Sequence, residues 1–190
     1  MAESSRLESL DSSTDHRFAP VRYFDANWDL AHLGSFAFKA DIGIEVTVVV
    51  IFSCHCFTRR FQWDPRPRAR IPECEIYRDA REERVLDPVR YELSRTLLPE
   101  VIATLPQRHI VVANAGTSNF LTWEVRPPEG GEIVYAVFFE VAKDKRRNRI
   151  LRIQSAYPME AGLTARQKRA KRVRLPTLLK AAYEGRIIRA

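Results

Sequence analysis

The chain has 190 residues, 45% of them apolar and 29% charged, which is the composition of a folded globular protein and excludes a disordered one. This length builds one well-packed core and is short for two ordinary domains. The longest apolar run, Val46–Phe52 with Thr47 inside it, falls far below the roughly 20 residues needed to cross a bilayer, so no membrane partner is expected. Three cysteines, Cys54, Cys56 and Cys74, form no framework, and Met1–Asp15 lacks the apolar core of a secretion signal; a reduced, cytoplasmic protein is expected.

Residues 1–15 are rich in Ser, Asp and Glu and read as a mobile tail, followed by a single domain over 16–190. Residues 16–41 carry scattered aromatics and read as irregular structure packed on the core. Ile42–Phe57 has uniformly apolar even positions, which predicts one long half-buried strand. Continued to its end, that alternation puts Ser53 and His55 on one face and Cys54 and Cys56 on the other. A Pro/Arg-rich insertion follows over 59–75. Asp87 and Pro88 are an N-cap and first-turn pair that open a helix reaching Leu105, kinked or divided at Pro99.

A meander is expected next, with strands at His109–Ala113, Phe120–Arg126, Ile133–Val141 and Arg149–Tyr157. Turns are expected at Asn114–Gly116, Pro127–Gly131 and 143–148. Leu121, Trp123 and Val125 are assigned to the core face with Ile133, Tyr135, Val137, Phe139 and Val141. Thr164 caps a basic helix through Arg174, and Pro176 opens a last helix that Gly185 ends. The fold expected is α+β: an antiparallel meander sheet preceded by a helix and followed by basic C-terminal helices, with its core over 42–190.

The net charge of +7 is unevenly placed. Lys143–Ala190 holds 15 Lys/Arg against 3 Asp/Glu, whereas Met1–Ala142 holds 16 against 21. Lys143, Lys145, Arg146, Arg147 and Arg149 crowd one hairpin, and Lys168, Arg169, Lys171, Arg172 and Arg174 crowd one helix. Such clusters release counterions from a polyanion, which points first to RNA and second to an acidic protein partner.

Candidate chemistry gathers at two strand ends. In Ser53-Cys-His-Cys-Phe-Thr-Arg-Arg60, His55 has the side chain best suited to acid–base work at neutral pH. Arg59, Arg60 or Arg152 can supply a cation for a phosphorane-like transition state. In Arg152-Ile-Gln-Ser-Ala-Tyr-Pro158, Ser155 and Tyr157 can orient a phosphate or stack on a base. The Cys/His spacing is not that of a zinc ribbon or finger, and no cofactor or metal is expected.

This layout, with Phe52-Ser-Cys-His-Cys-Phe-Thr-Arg59 and Gln154-Ser-Ala-Tyr-Pro158, resembles the RelE-, barnase- and colicin-like ribonuclease toxins of the BECR fold over residues 42–190. The resemblance implies a metal-independent endoribonuclease acting in cellular defence or growth control, often with a neutralising protein partner. It implies a site of His55 as acid or base, Arg59 and Arg152 on phosphate, and Tyr157 on substrate, beside which Ser155 stands as read above from its strand end. The first 41 residues and the 59–75 insertion have no counterpart in that group. The alternatives are a non-catalytic RNA- or DNA-binding module, alone or in a larger complex, and an interaction protein docking an acidic partner.

Overall fold

The computed structural model describes residues 18–112, 119–126, 133–143 and 149–186. The expected mobile tail, the turns at Asn114–Gly116 and Pro127–Gly131, and the cations Lys145, Arg146 and Arg147 lie outside them, as does the side chain of Arg149.

The aromatic-rich start is strand, not irregular structure. β1 (Val21–Tyr23) and β2 (Ala26–Trp28) form a hairpin, and β3 (Phe36–Asp41) pairs antiparallel with β4 (Glu45–Phe52). The β3–β4 turn explains why the long strand starts later than its periodicity suggests. Gly43 adopts φ +94°, a conformation glycine takes without a Cβ penalty, and its N–H donates to Asp41 Oδ1 at 2.8 Å. The strand also ends early. Ser53 caps a 3-10 turn over Cys54–Cys56, so the alternation used to orient His55 stops at Phe52.

β5 (Thr58–Arg59), β6 (Ile76–Arg78) and β7 (Glu83–Leu86) make a small sheet in the order β5-β7-β6. Between β5 and β6 the Pro/Arg-rich segment forms three 3-10 turns around Phe61–Trp63, Arg68–Arg70 and Glu73–Glu75. Asp87 then accepts from the Arg90 N–H and caps α1 (Pro88–Thr96); Pro99 stands in the first turn of the separate α2 (Leu98–Ala103). The remaining strands are β8 (Ile110–Val112), β9 (Asn119–Arg126), β10 (Ile133–Lys143), β11 (Arg149–Pro158) and β12 (Arg172–Val173). α3 (Ala165–Arg169) precedes β12, and α4 (Leu175–Tyr183) follows it.

The α+β expectation of a helix-preceded antiparallel meander is corrected by the sheet. The protein is mostly β, and its main sheet has seven strands in the order β12-β8-β9-β10-β11-β4-β3. β4 runs parallel to β11, with Val50 opposite Leu151 and Phe52 opposite Ile153, so the sheet is mixed. The cause is the β3–β4 hairpin, which docks against the last long strand instead of standing apart before the helix. The basic helix is also shorter than expected: the capping box of Thr164 and Gln167 starts α3, but the chain leaves it at Ala170 and becomes edge strand β12.

One face of the sheet carries Val48, Val50, Phe52, Phe120, Tyr135, Val137, Phe139, Leu151 and Ile153, covered by Leu98, Val101 and Ile102 of α2 and Leu175, Leu178 and Leu179 of α4. Burying a side chain such as Phe139, which is fully inaccessible, contributes roughly 1.5–3 kcal/mol. The β9 register puts Phe120 opposite Phe139, so Leu121, Trp123 and Val125 point to the other face; there Leu121 packs with Val111 and Ala136. The β9 face that meets the main core carries Phe120 with the polar Thr122 and Glu124, while its apolar face packs in the smaller cluster, which is why periodicity alone assigns them wrongly.

Candidate active site in a guanidinium-lined cleft

The cleft forms where β4 leaves the sheet. The last bond between the two strands is Ser53 N–H to the Ile153 carbonyl, 3.0 Å. At the same level β11 contains a bulge: Phe138 pairs with Ser155 and Phe139 with Ile153, leaving Gln154 as the extra residue. A bulge re-aims side chains and increases local twist. Here Arg152, Gln154, Ser155 and Tyr157 all come to line one cavity, where an unbroken strand would put Ser155 and Tyr157 opposite Arg152 and Gln154.

Ser53 fastens the turn to this bulge. Its hydroxyl donates to the Gln154 carbonyl at 2.6 Å and accepts from the His55 N–H at 3.2 Å. Two buried arginines hold the rest. Arg90 Nη1 donates to the His55 and Thr58 carbonyls, 3.2 and 2.9 Å, and Arg84 Nε donates to Thr58 Oγ1 at 2.7 Å. The His55 backbone is thus fixed from three elements, the form of support an acid–base residue needs.

Within the cleft His55 Nε2 lies 2.7 Å from Glu82 Oε1, and Arg84 Nη1 donates to the other Glu82 oxygen at 3.0 Å. Burial lowers the His55 pKa below its ordinary 6.5, outweighing the hydrogen bond to Glu82 that raises it. Burial pushes the Glu82 carboxyl up, but hydrogen bonds from His55 and Arg84 outweigh it and hold it at about 2. The pair at neutral pH is therefore a neutral imidazole beside a carboxylate. An ionised carboxylate only accepts, so Nε2 carries the proton and Nδ1 carries the lone pair.

The cavity, about 500 Å³, is lined by Arg60, Arg81, Arg84, Arg90 and Arg152 against the carboxylates Glu82 and Glu140. Arg152 Nε stands 3.4 Å from Glu140 Oε1, and Gln154 engages the second Glu140 oxygen at 3.0 Å. Arg60 and Arg81 are free of carboxylate partners among the described residues. Aromatic rings close the sides. Tyr157 stacks on Phe138 at 5.4 Å, and the Arg90 guanidinium lies 4.6 Å over Tyr157 and 5.7 Å over Trp63. Burial raises the Tyr157 pKa, so its hydroxyl keeps its proton through the neutral range.

The structure brings His55, Arg152, Ser155 and Tyr157 together. It does not bring Arg59: that guanidinium turns away to Asp64 at 2.7 Å and Asp87 at 3.8 Å. Trp63, Arg81, Glu82, Arg84 and Arg90 had no distinguishing signal in the sequence. Glu82 and Arg84 fall in the charged run Arg78–Arg84, where nothing separates a solvated charge from a buried one.

Cys54 Sγ, His55 Nε2 and a Glu82 oxygen lie within 4.8 Å of one another and can hold a cation. The 3-10 turn, not strand alternation, puts Cys54 and His55 on the same carboxylate. The surroundings oppose a cation: Arg84 already pairs with Glu82, and burial with Glu82 nearby pushes the Cys54 thiol far up, so the thiolate a soft metal needs is disfavoured. Five guanidiniums suit an anion better.

Of the remaining predicted cations, Lys143 is exposed with Nζ 5.8 Å from the Tyr183 ring centre. Lys168, Arg169, Lys171, Arg172 and Arg174 are exposed around β12, at the sheet edge that β8, β9 and β10 separate from β11. Arg174 donates to the Gln107 carbonyl. Among the described residues no helix is long and apolar enough to cross a membrane.

Fold and cleft together define a β-rich protein with an arginine-lined pocket built around a His–Glu pair. The family model for the YjaZ family matches residues 20–183, and the chain belongs to that family. Protein YjaZ of Escherichia coli (strain K12) is 29% identical over 116 residues, which cover 61% of this chain and 62% of that protein. The match thus spans less than two thirds of that relative's length. No solved structure matches the chain.

Proposed function

We infer that this protein cleaves RNA without a metal, by acid–base chemistry in the His55 cleft. The observation that carries the reading is His55, hydrogen-bonded to Glu82, in a cavity walled by five arginines. His55 Nδ1 takes the proton of a ribose 2′-hydroxyl, and the 2′-oxygen attacks the adjacent phosphorus. Arg152, with Arg60 and Arg81, stabilises the charge gathering on the phosphoryl oxygens. The bond from phosphorus to the 5′-oxygen breaks, and Tyr157 gives that oxygen its proton. The products are a 2′,3′-cyclic phosphate and a 5′-hydroxyl, with the proton returning from His55 to Tyr157 through solvent. Ser155 orients the phosphate. Arg59 has no place in this scheme, because its charge is committed to Asp64 and Asp87.

The same reading makes the protein toxin-like, active in defence or growth control in the cytoplasm, and restrained by a neutralising partner. Expressed alone in a bacterium, the wild type slows growth and His55→Ala relieves the effect. Normal growth with abundant soluble wild-type protein counts against the reading.

The exposed cations around β12 favour a second reading, a non-catalytic RNA- or DNA-binding module or an interaction protein docked on an acidic partner. They lie apart from the cleft and bind a polyanion without His55. Binding that is steeply salt-dependent and indifferent to His55→Ala, with no cleavage by either protein, selects the module; an acidic protein bound in place of nucleic acid selects docking.

A further inference from the structure

The His55 cleft does not end at Glu82. A second cavity of about 730 Å³ continues beyond it, lined by Phe18, Pro20 and Val21 of the N-terminal segment, by Phe52 of β4 and by Ile76 and Tyr77 of β6. The two cavities share four residues, Ser53, Arg81, Glu82 and Arg152. His55 faces the first cavity and Cys54 the second, so the His–Glu pair stands at their junction. The two walls differ. The first is ionic with one platform, Trp63, 52% exposed at the mouth and flanked by Arg60 and Arg90, each 5.7 Å from its ring centre. The second is largely apolar and aromatic, with Arg22, Arg78 and Arg81 against Asp79 and Glu82 at its rim.

We propose that the two cavities form one groove for single-stranded nucleic acid, with two bases, one in each cavity, flanking a phosphate held at the junction by Arg81 and Arg152. The proposal rests on the nucleic-acid reading of the cleft but not on cleavage. Each cavity is of a size that holds a small-molecule ligand such as a nucleotide. Arg81 is an exposed guanidinium with no carboxylate partner among the described residues, at a point both cavities reach. Bases stack on aromatic platforms whatever their sequence, and only an unpaired strand offers both faces of each base. A duplex keeps its bases against their neighbours and cannot divide them between two pockets. The groove also gives the N-terminal segment a role: Phe18–Val21 is a wall of the second pocket.

The test uses the full chain and 2′-O-methyl oligonucleotides, which bind but lack the attacking hydroxyl. Affinity is read at low salt by fluorescence anisotropy for a mononucleotide 3′-phosphate, a dinucleotide, a tetranucleotide and a duplex. The dinucleotide is expected to bind at least about tenfold tighter than the mononucleotide, and the duplex at least about tenfold weaker than the single strand. Trp63→Ala and Arg81→Ala change exposed side chains; each is expected to weaken dinucleotide binding by about tenfold. Equal affinity for mononucleotide and dinucleotide, equal affinity for duplex and single strand, or indifference to both substitutions overturns the groove. Oligonucleotide binding in the expected order with no cleavage of natural RNA leaves the groove standing and removes the ribonuclease reading. Cleavage of RNA that is indifferent to Trp63→Ala and to strandedness does the reverse.

Discussion

Arg59 and Arg60 are neighbours in the chain and stand in opposite environments. Arg59 closes a network in which Asp64, with its side chain fully inaccessible, accepts from Arg59 and Arg66, and Arg66 reaches on to Glu75 at 2.6 Å. The Arg66 guanidinium, with Arg59, holds the Asp64 carboxyl well below the usual carboxylate range, so the charges of Arg59, Asp64, Arg66 and Glu75 are spent on one another. Arg60 faces the cleft, and among the described residues the Trp63 ring stands against it with no carboxylate. The lesson is that arginine density does not locate a binding site. Guanidinium donors left over in a concave place do: Arg59 is closed between two carboxylates, whereas Arg60 has none against it among the described residues and Arg152, with one pair through Nε to Glu140, keeps its terminal donors for a phosphate.

The sharpest way to break this comparison is His55→Ala, which is expected to lower cleavage by about 10²–10⁴-fold while binding of a 2′-O-methyl oligonucleotide is kept. Glu82→Gln comes next. It keeps the size of the side chain but removes the charge that stabilises an imidazolium, so turnover falls by about tenfold or more and the acid limb of the rate profile moves to lower pH. The direction follows from the geometry: the Glu82 hydrogen bond raises the His55 pKa, and weakening it lets burial lower the value further.

The wild-type profile of kcat/KM against pH has its own sign. A base must be neutral, so the rate rises as His55 loses its proton, with a midpoint below 6.5. The rate falls again above pH 10, where Tyr157, raised by burial, finally ionises. An acid limb centred above 6.5 assigns the base elsewhere.

The two arginines separate function from stability. Arg60→Ala is expected to weaken RNA cleavage about tenfold and leave the urea midpoint unchanged. Arg59→Ala is expected to leave Asp64 and Asp87 short of a partner and cost about 1–3 kcal/mol in urea unfolding. The smallest effect belongs to the β12 edge. Replacing Lys168, Arg169, Lys171 and Arg172 together reduces the slope of log affinity against log salt by about 0.7 for each phosphate no longer neutralised, with little change in turnover at saturating RNA.

Part of this site is legible in the sequence. His55 at the end of an apolar strand and Ser155 and Tyr157 at the end of another are visible because strand ends carry polar residues out of a repeating apolar pattern. Arg152 is visible as a charge inside such a pattern. The sheet order was not legible. β4 and β11 are parallel partners about a hundred residues apart, and nothing in either strand's periodicity names the other. The bulge at Gln154 was hidden for the same reason, since it exists only as a mismatch between β10 and β11. β9 misled because its more apolar alternate residues, Leu121, Trp123 and Val125, face away from the main core, and Glu82 and Arg84 because their burial depends on His55 and Thr58, which only the fold brings to them.

On the proposed reading the His55 cleft, and not the basic edge, performs the chemistry. The most direct measurement is mass spectrometry of the ends produced when the purified protein is incubated with a defined RNA in EDTA, for wild type and His55→Ala. The wild type is expected to give 2′,3′-cyclic phosphate and 5′-hydroxyl ends, and the variant no new ends. Intact RNA with the wild type, or the same ends from His55→Ala at the wild-type rate, contradicts it.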